Sequence, residues 1–295
     1  MGQGIGFQFN FYTAPIFRAL VERGVPLDYV ELLCDTVSGS LDGPHLIDPR
    51  HRGWFDELRA AHPLVAHSNY GEQYGFKPLE DTPFVRRHAP IVREMGSPWV
   101  ADHMFYGTDS TGYLWSTPIQ FSRQEAARVA ERAARLQDLL GIPLAHENAF
   151  IYALCPGSDI EEADFLASIV EKSGTHLLLD LHNIYANSVN FDGYDCWRYL
   201  KTIPLDRVIQ LHIAGGQWID GWYHDLHNHP VPDPVWEMLE FVLARARNVR
   251  GVTLELQGPM HTAQSRPIDA DWAAMAGADI LRARSIWEGT RAGAL

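Results

Sequence analysis

The stretch His176-Leu-Leu-Leu-Asp180, followed by Leu181-His182-Asn183, decides how this chain of 295 residues is read. Three adjacent leucines lack the alternation of a half-exposed strand and are too few for a helix, so they read as a strand buried on both faces, the form parallel sheets use. A carboxylate closes the run. On either side the same form recurs: a short apolar run, a polar or ionisable residue at its end, then a helical pattern. The other runs lie at 4–9, 29–34, 64–67, 98–102, 142–147, 207–212 and 252–256.

Helical patterns fall between them at 15–23, 54–61, 83–94, 161–172, 194–201, 232–246 and 270–287. A further helix opens at Ser122, where Glu125 three residues on completes a capping-box pattern, and Gly141 ends it. Eight strand-helix units in order predict one (β/α)8 TIM barrel over residues 1–295. A doubly wound sheet fits less well, because no GxGxxG turn follows the first strand. One long interruption, at about 213–234, is expected to be a loop over the active site.

Composition narrows the function. With 24 Lys+Arg against 37 Asp+Glu, the formal charge is −13, which argues against a nucleic-acid partner, since polyanion affinity comes from Lys and Arg. No apolar run nears the roughly 20 residues of a membrane span. Three widely spaced cysteines suggest neither a disulfide framework nor a CxxC site, and a cytoplasmic location is expected. Fourteen histidines exceed ordinary structural use and make metal chemistry worth testing.

In a barrel enzyme, reactive groups sit where strands end. Here the ends carry His67, Asp102 with His103, Glu147 with Asn148, Asp180, His212 and Glu255; Asn183 follows shortly after, and Asp225 and His227 lie in the long loop. Any one of these could be a satisfied polar residue or a helix cap. Together they form a ring of carboxylates that would repel one another unless cations neutralised it. Imidazole and carboxylate donors without cysteine suit iron, manganese or catalytic zinc rather than structural zinc. No GxSxG elbow or Walker A loop is present. Trp218, Trp222 and Trp236 fit a substrate wall or plain packing equally well.

Eight segments in order, IGFQFNF (5–11), DYVELLCD (28–35), VADH (100–103), HEN (146–148), LLLDLHNIY (177–185), LHIAG (211–215), HDLHNHPVPDPVW (224–236) and TLEL (253–256), resemble the multinuclear non-heme iron-dependent oxidative enzymes. That family includes the iron subunit of methanobactin biosynthesis and belongs to the xylose-isomerase-like barrels. The resemblance implies metal positions at His67, His103, Glu147, Asp180, Asn183, His212, Asp225, His227 and Glu255. Asn183 falls where the apurinic-site endonucleases of the same superfamily have a histidine. An amide oxygen is a weaker donor, so a third ion is expected to be held more loosely. Asp35, Asp102, Asn148, His182 and His224 are candidates for touching the ligands or the substrate. Also implied are two or three iron ions, mixed-valent Fe(II)/Fe(III), with O2 as co-substrate. The expected reaction is oxidation of a residue, most often Cys, in a ribosomally synthesised precursor peptide, with a small leader-recognition protein as partner. The competing reading is a redox-neutral, metal-dependent isomerase or hydrolase on the same barrel.

Overall fold

The computed structural model describes residues 4–40, 43–82, 84–106, 117–257 and 271–292. Pro83 and Ala270, the expected starts of two helices, lie outside these residues. Seven strands come first: β1 Ile5–Phe9, β2 Tyr29–Leu33, β3 Leu64–Ser68, β4 Val100–His103, β5 Leu144–Glu147, β6 His176–Asp180 and β7 Val208–Ile213. A short hairpin follows, β8 Gln217–Ile219 with β9 Trp222–His224, and then β10 Gly251–Leu254. The barrel closes in the order β1-β10-β7-β6-β5-β4-β3-β2, with every neighbouring pair parallel. The helices are α1 Ala14–Glu22, α2 Cys34–Val37, α3 Arg52–Ala61, α4 Ala89–Met95, α5 Arg123–Leu140, α6 Glu162–Ser173, α7 Leu181–Asn190, α8 Cys196–Thr202, α9 Asp233–Leu243 and α10 Trp272–Ala292.

The leucines of β6 show how the chain divides its apolar groups. Leu177 and Leu179 point outward into the layer between strands and helices, while Leu178 points inward with Tyr29, Val65, Trp99, Ala101, Ala145 and Ile209. Burial of each such leucine contributes about 1.5–3 kcal/mol. The Tyr29 ring fits in the barrel interior because the residues it reaches across to on β1 and β10 are glycines. A Cβ added at Gly6 or Gly251 would come within 2.4 or 2.5 Å of the Tyr29 side chain. Parallel register then carries inward-facing positions upward in steps of two, from Gly6 to Gln8, from Tyr29 to Glu31 and from Leu178 to Asp180. At one position β7 carries an extra residue against β6, and Asp180 comes level with His212.

Three local expectations needed correction. The sequence between 181 and 193 carried no expected helix, yet α7 starts directly after β6, with the Asp180 side chain accepting the Asn183 N–H at 2.8 Å as its cap. Its run of Asn, Ser and His has weak helical propensity, and burial of Leu181, Ile184 and Ala186 overrides that. The helix expected at 83–94 is instead a π-turn, Phe84–His88, leading into α4. Pro90 has no N–H for the residue-86 carbonyl, which favours a wider turn there. The 213–234 segment contains the β8–β9 hairpin, turned by Asp220 (φ 51°) and Gly221 (φ 81°). Two consecutive positive φ angles on Asp-Gly are the signature of a tight two-residue hairpin, a signal visible in the sequence.

Candidate metal centre

The residues closing the strands converge at one end of the barrel. Glu147 stands at the centre: one carboxylate oxygen lies 2.8 Å from His67 Nε2 and 3.2 Å from His103 Nε2, and the other 3.0 Å from His212 Nδ1. Glu255 approaches the same His212 Nδ1 at 3.3 Å and His227 Nε2 at 3.8 Å. Asp225 lies 2.6 Å from His227 Nε2 and 2.8 Å from His182 Nδ1. Among the described residues, donor atoms therefore gather in four groups: His67, His103 and Glu147; Glu147, Asp180, His212 and Glu255; His182, Asp225 and His227; and Glu31, His67 and His212. His227 holds a positive φ of 48°, a strained backbone that brings its ring to the group.

His67 Nε2 is hydrogen-bonded to Glu147, but most of the other contacts are close without being hydrogen bonds. His212 Nδ1, Glu147 Oε1, His182 Nδ1, Asp225 Oδ1 and both His227 nitrogens have no hydrogen-bond partner although they are buried, and the same is true of Asp180 Oδ2 and Asn183 Oδ1. Their donor directions miss the nearby oxygens. Atoms sharing a metal about 2.1 Å away stand about 3.0–3.4 Å from one another and aim at a common point, not at each other. Buried polar atoms are otherwise almost always paired, so this many orphans in one place fits a cation-binding ring.

The electrostatics agree. Burial and the neighbouring Glu255, Glu147 and Asp225 carboxylates drive the Asp180 carboxyl well above its usual range. Burial disfavours a charge on His67 and His227, yet Glu147 raises the first to about 9, and Asp225 with Glu255 raises the second to about 10. Burial would lift Glu147 as well, but His103, His67 and His212 hold it far down. Without a cation, protons on imidazoles carry the compensating charge.

Glu31, in the middle of β2, was missed by the reading of strand ends. Fully buried, it accepts from Gln8 Nε2 at 2.9 Å, from Thr253 Oγ1 at 3.3 Å, from Gln210 Nε2, and meets His212 Nε2 at 3.0 Å. Trp99 Nε1 donates to Gln210 Oε1 at 2.6 Å and so turns that amide's N–H toward Glu31. With its oxygens already surrounded by donors, Glu31 is placed to hold the His212 Nε2–H and leave Nδ1 as the donor atom facing the ring. A single acid inside the otherwise apolar Tyr29-Val-Glu-Leu-Leu33 was the available signal.

Other candidates take varied places. Asn148 exchanges hydrogen bonds with the Asp180 backbone at 3.0 and 2.8 Å, and its carbonyl accepts from Asn183 Nδ2 at 3.1 Å, which leaves the Asn183 amide oxygen free. Asp102 does not face the ring; its Oδ1 accepts the Tyr70, Gly71 and His103 N–H groups and shapes the loop after β3. Asp35 accepts from Asn69 Nδ2 at 3.2 Å. His224 is in none of the donor groups and lies near Tyr152, whereas His182 is in one. A cleft of about 450 Å3 opens above the ring, lined by Asn69, Phe105, Phe150, Asn183 and Gln257, with His103, Asp225 and His227 in its wall. None of the three tryptophans lines it among the described residues: Trp236 is buried in the core, Trp222 packs on Phe191, and Trp218 is 54% exposed. No described helix is long and apolar enough to cross a membrane.

A family model for the RiPP precursor modification enzymes MbnB/TglH/ChrH matches residues 2–270. A UPF0276 protein of Caulobacter vibrioides is 30% identical over 250 residues, 83% of each chain, and one of Pseudomonas aeruginosa is 33% identical over 233 residues, covering 77% of this chain and 78% of that one. Among solved structures, L-ribulose 3-epimerase superposes with a TM-score of 0.60 at 14% identity, covering 100% of this chain and 97% of that one. Endonuclease IV of Thermus thermophilus gives 0.54 at 19% identity, covering 98% of this chain and 99% of that one. At such identity these structures speak to the barrel fold alone.

Proposed function

This chain belongs to the RiPP precursor modification enzyme family MbnB/TglH/ChrH, and from that premise we propose that it oxidises a residue, Cys foremost, in a ribosomally synthesised precursor peptide, using two or three iron ions and O2. The observation that carries the reading is the ring of orphaned, buried nitrogen and oxygen donors around Glu147 beneath an open cleft. Mixed imidazole and carboxylate donors without thiolate suit iron in its two common oxidation states. When bound, iron supplies one-electron and O2 chemistry.

The residues have separable tasks in this proposal. His67, His103 and Glu147 would hold one ion. Glu147, Asp180, His212 and Glu255 would hold a second, so that Glu147 belongs to both donor groups. Asp225 and His227, with His182 or the Asn183 amide oxygen, would hold the third. Glu31 would hold the proton on His212 Nε2, and Asn148 fixes the Asp180 backbone and the Asn183 side-chain amide. The apolar walls Phe105 and Phe150 limit water around a peptide side chain entering the cleft. A small leader-recognition protein is proposed as the partner that delivers the peptide.

The test is anaerobic purification with metal analysis, then oxygen uptake and peptide mass measured with any short precursor peptide encoded beside this gene. Iron above one equivalent, O2 consumption and an oxidative mass change support the reading. Metal-dependent turnover without O2 consumption would instead establish the redox-neutral isomerase or hydrolase.

A further inference from the structure

The β5–α6 connection has two faces. Phe150 and Tyr152 line the cleft, whereas Ile151 and Leu154 line a second cavity of about 270 Å3. Phe121, Ile160, Phe191 and Tyr199 complete its apolar wall, and the Glu162 carboxyl is among its lining groups, hydrogen-bonded by Tyr194 Oη at 3.0 Å. That volume suits one large side chain better than a whole small-molecule ligand. A thin partition separates the two spaces: Phe150, Ala186 and Tyr223 cluster together with Trp222 packed against them, and Trp222 meets Phe191 edge-on at 5.3 Å.

The cavity is built in advance. Asn187 bonds the Ala149 carbonyl at 2.9 Å and the Ile151 N–H at 3.1 Å, clamping the partition. Further along the connection, Gln120 donates to the Gly157 carbonyl at 2.7 Å, Ser158 Oγ accepts the Phe121 N–H at 3.1 Å, and the Asp159 N–H reaches the Phe121 carbonyl at 2.9 Å. A preformed wall spares an incoming chain the cost of ordering it. Leu154, 60% exposed, and Tyr152, 53% exposed, form the ridge between cleft and cavity. The rim is acidic. Glu161 is paired with Arg198 at 2.8 Å, Asp195 caps α8, and Asp192 has no ion-pair partner among the described residues.

We propose that this cavity is a second peptide subsite, taking one large apolar side chain of the precursor with a Lys or Arg beside it while the residue to be modified enters the cleft. This rests on the peptide-modifying reading above. The apolar wall selects the side chain, the acidic rim selects its basic neighbour, and the shared partition makes one extended peptide able to occupy both spaces.

Binding to the full-length protein is read by fluorescence anisotropy under anaerobic conditions, with and without iron. The probes are short fluorescein-labelled Gly/Ser-rich peptides carrying Trp-Lys, Trp-Glu or Ser-Lys at one position. Trp-Lys is expected to bind most tightly, and Leu154→Asp, at an exposed position the fold does not depend on, to weaken it by about tenfold or more. Asp192→Lys is expected to weaken Trp-Lys by about threefold and to leave Trp-Glu unweakened. Equal binding or no binding of all three probes, or Trp-Lys binding unchanged in Leu154→Asp, overturns the proposal. So does a loss of self-association in Leu154→Asp, which would make a second copy of the chain the occupant. No turnover is measured, so this outcome is independent of whether the enzyme oxidises its peptide.

Discussion

The lower and upper halves of the barrel interior use the same strands and the same inward-facing register, yet they obey opposite rules. In the lower half Tyr29, Val65, Ala101, Ala145 and Leu178 pack closely, and the polar tips present are paired: Tyr29 Oη with Thr253 Oγ1 at 2.7 Å, Trp99 Nε1 with Gln210 at 2.6 Å. Two residues further along each strand, His67, Glu147, Asp180 and His212 are equally buried, and several of their polar atoms have no hydrogen-bond partner. Burial is thus not what separates them. The lower half is complete as protein, and the upper half has the charge pattern and atom directions of a ring that needs cations. Glu31, Gln210 and Thr253 form the layer between, satisfied below and holding His212 above.

The sharpest way to break this contrast is Glu147→Gln, which removes the carboxylate shared by three imidazoles. Bound iron is expected to fall by at least one equivalent and peptide oxidation by about a thousandfold or more, checked by elemental analysis and mass spectrometry. The gain in thermal midpoint on loading wild-type protein with iron should shrink in the variant, because a ligand stabilises only the state that binds it. If iron content and that gain are unchanged, Glu147 is not a ligand.

Next in size is the lower half. Leu178→Ala leaves a cavity inside the barrel and is expected to cost about 2–5 kcal/mol in urea unfolding, with iron per folded chain unchanged. Loss of iron in proportion to stability would show that the two halves are one cooperative unit and not a support with a site on top. Glu31→Gln probes the layer between: iron affinity is expected to drop by about 10–100-fold with a loss in stability below that of Leu178→Ala. Full affinity in this variant would mean that the His212 proton is fixed by something else.

The smallest effect concerns a buried carboxyl outside the ring. Burial raises Glu162 to about 8 from its ordinary 4.5, and the hydrogen bond from Tyr194 only partly opposes this. The folded state therefore holds this proton more tightly than the unfolded chain does. The associated stability is full below about pH 4.5 and is lost as pH rises through about 8. Glu162→Gln keeps a neutral group there, so it should match wild type near pH 4 and exceed it by about 1 kcal/mol or more near pH 9 in chemical unfolding. A difference that does not grow with pH would show that Glu162 is ionised in the folded protein.

Much of this was legible in the chain. The eight strands and the residues that close them follow from short apolar runs and from the rule that barrel chemistry sits at strand ends. The missing parts have specific causes. α7 is held by packing rather than by propensity, so Leu181–Asn190 carries little local signal. Glu31 lies mid-strand, and only the closed ladder shows that its position faces His212 and not solvent or an outer helix. Asp102 and His103 are adjacent, and alternation sends one to the loop after β3 and the other to the ring.

By itself, the sequence determined the barrel, the family and the residue types gathered at its mouth, because periodicity and strand-end chemistry are local properties of the chain. Only the tertiary structure decided which donor atoms share a neighbour, that His182 and not His224 stands with Asp225 and His227, and that Glu31 lies against His212 Nε2. Those facts depend on side-chain direction and on distances of about 3 Å between residues far apart in the chain, which no local pattern encodes.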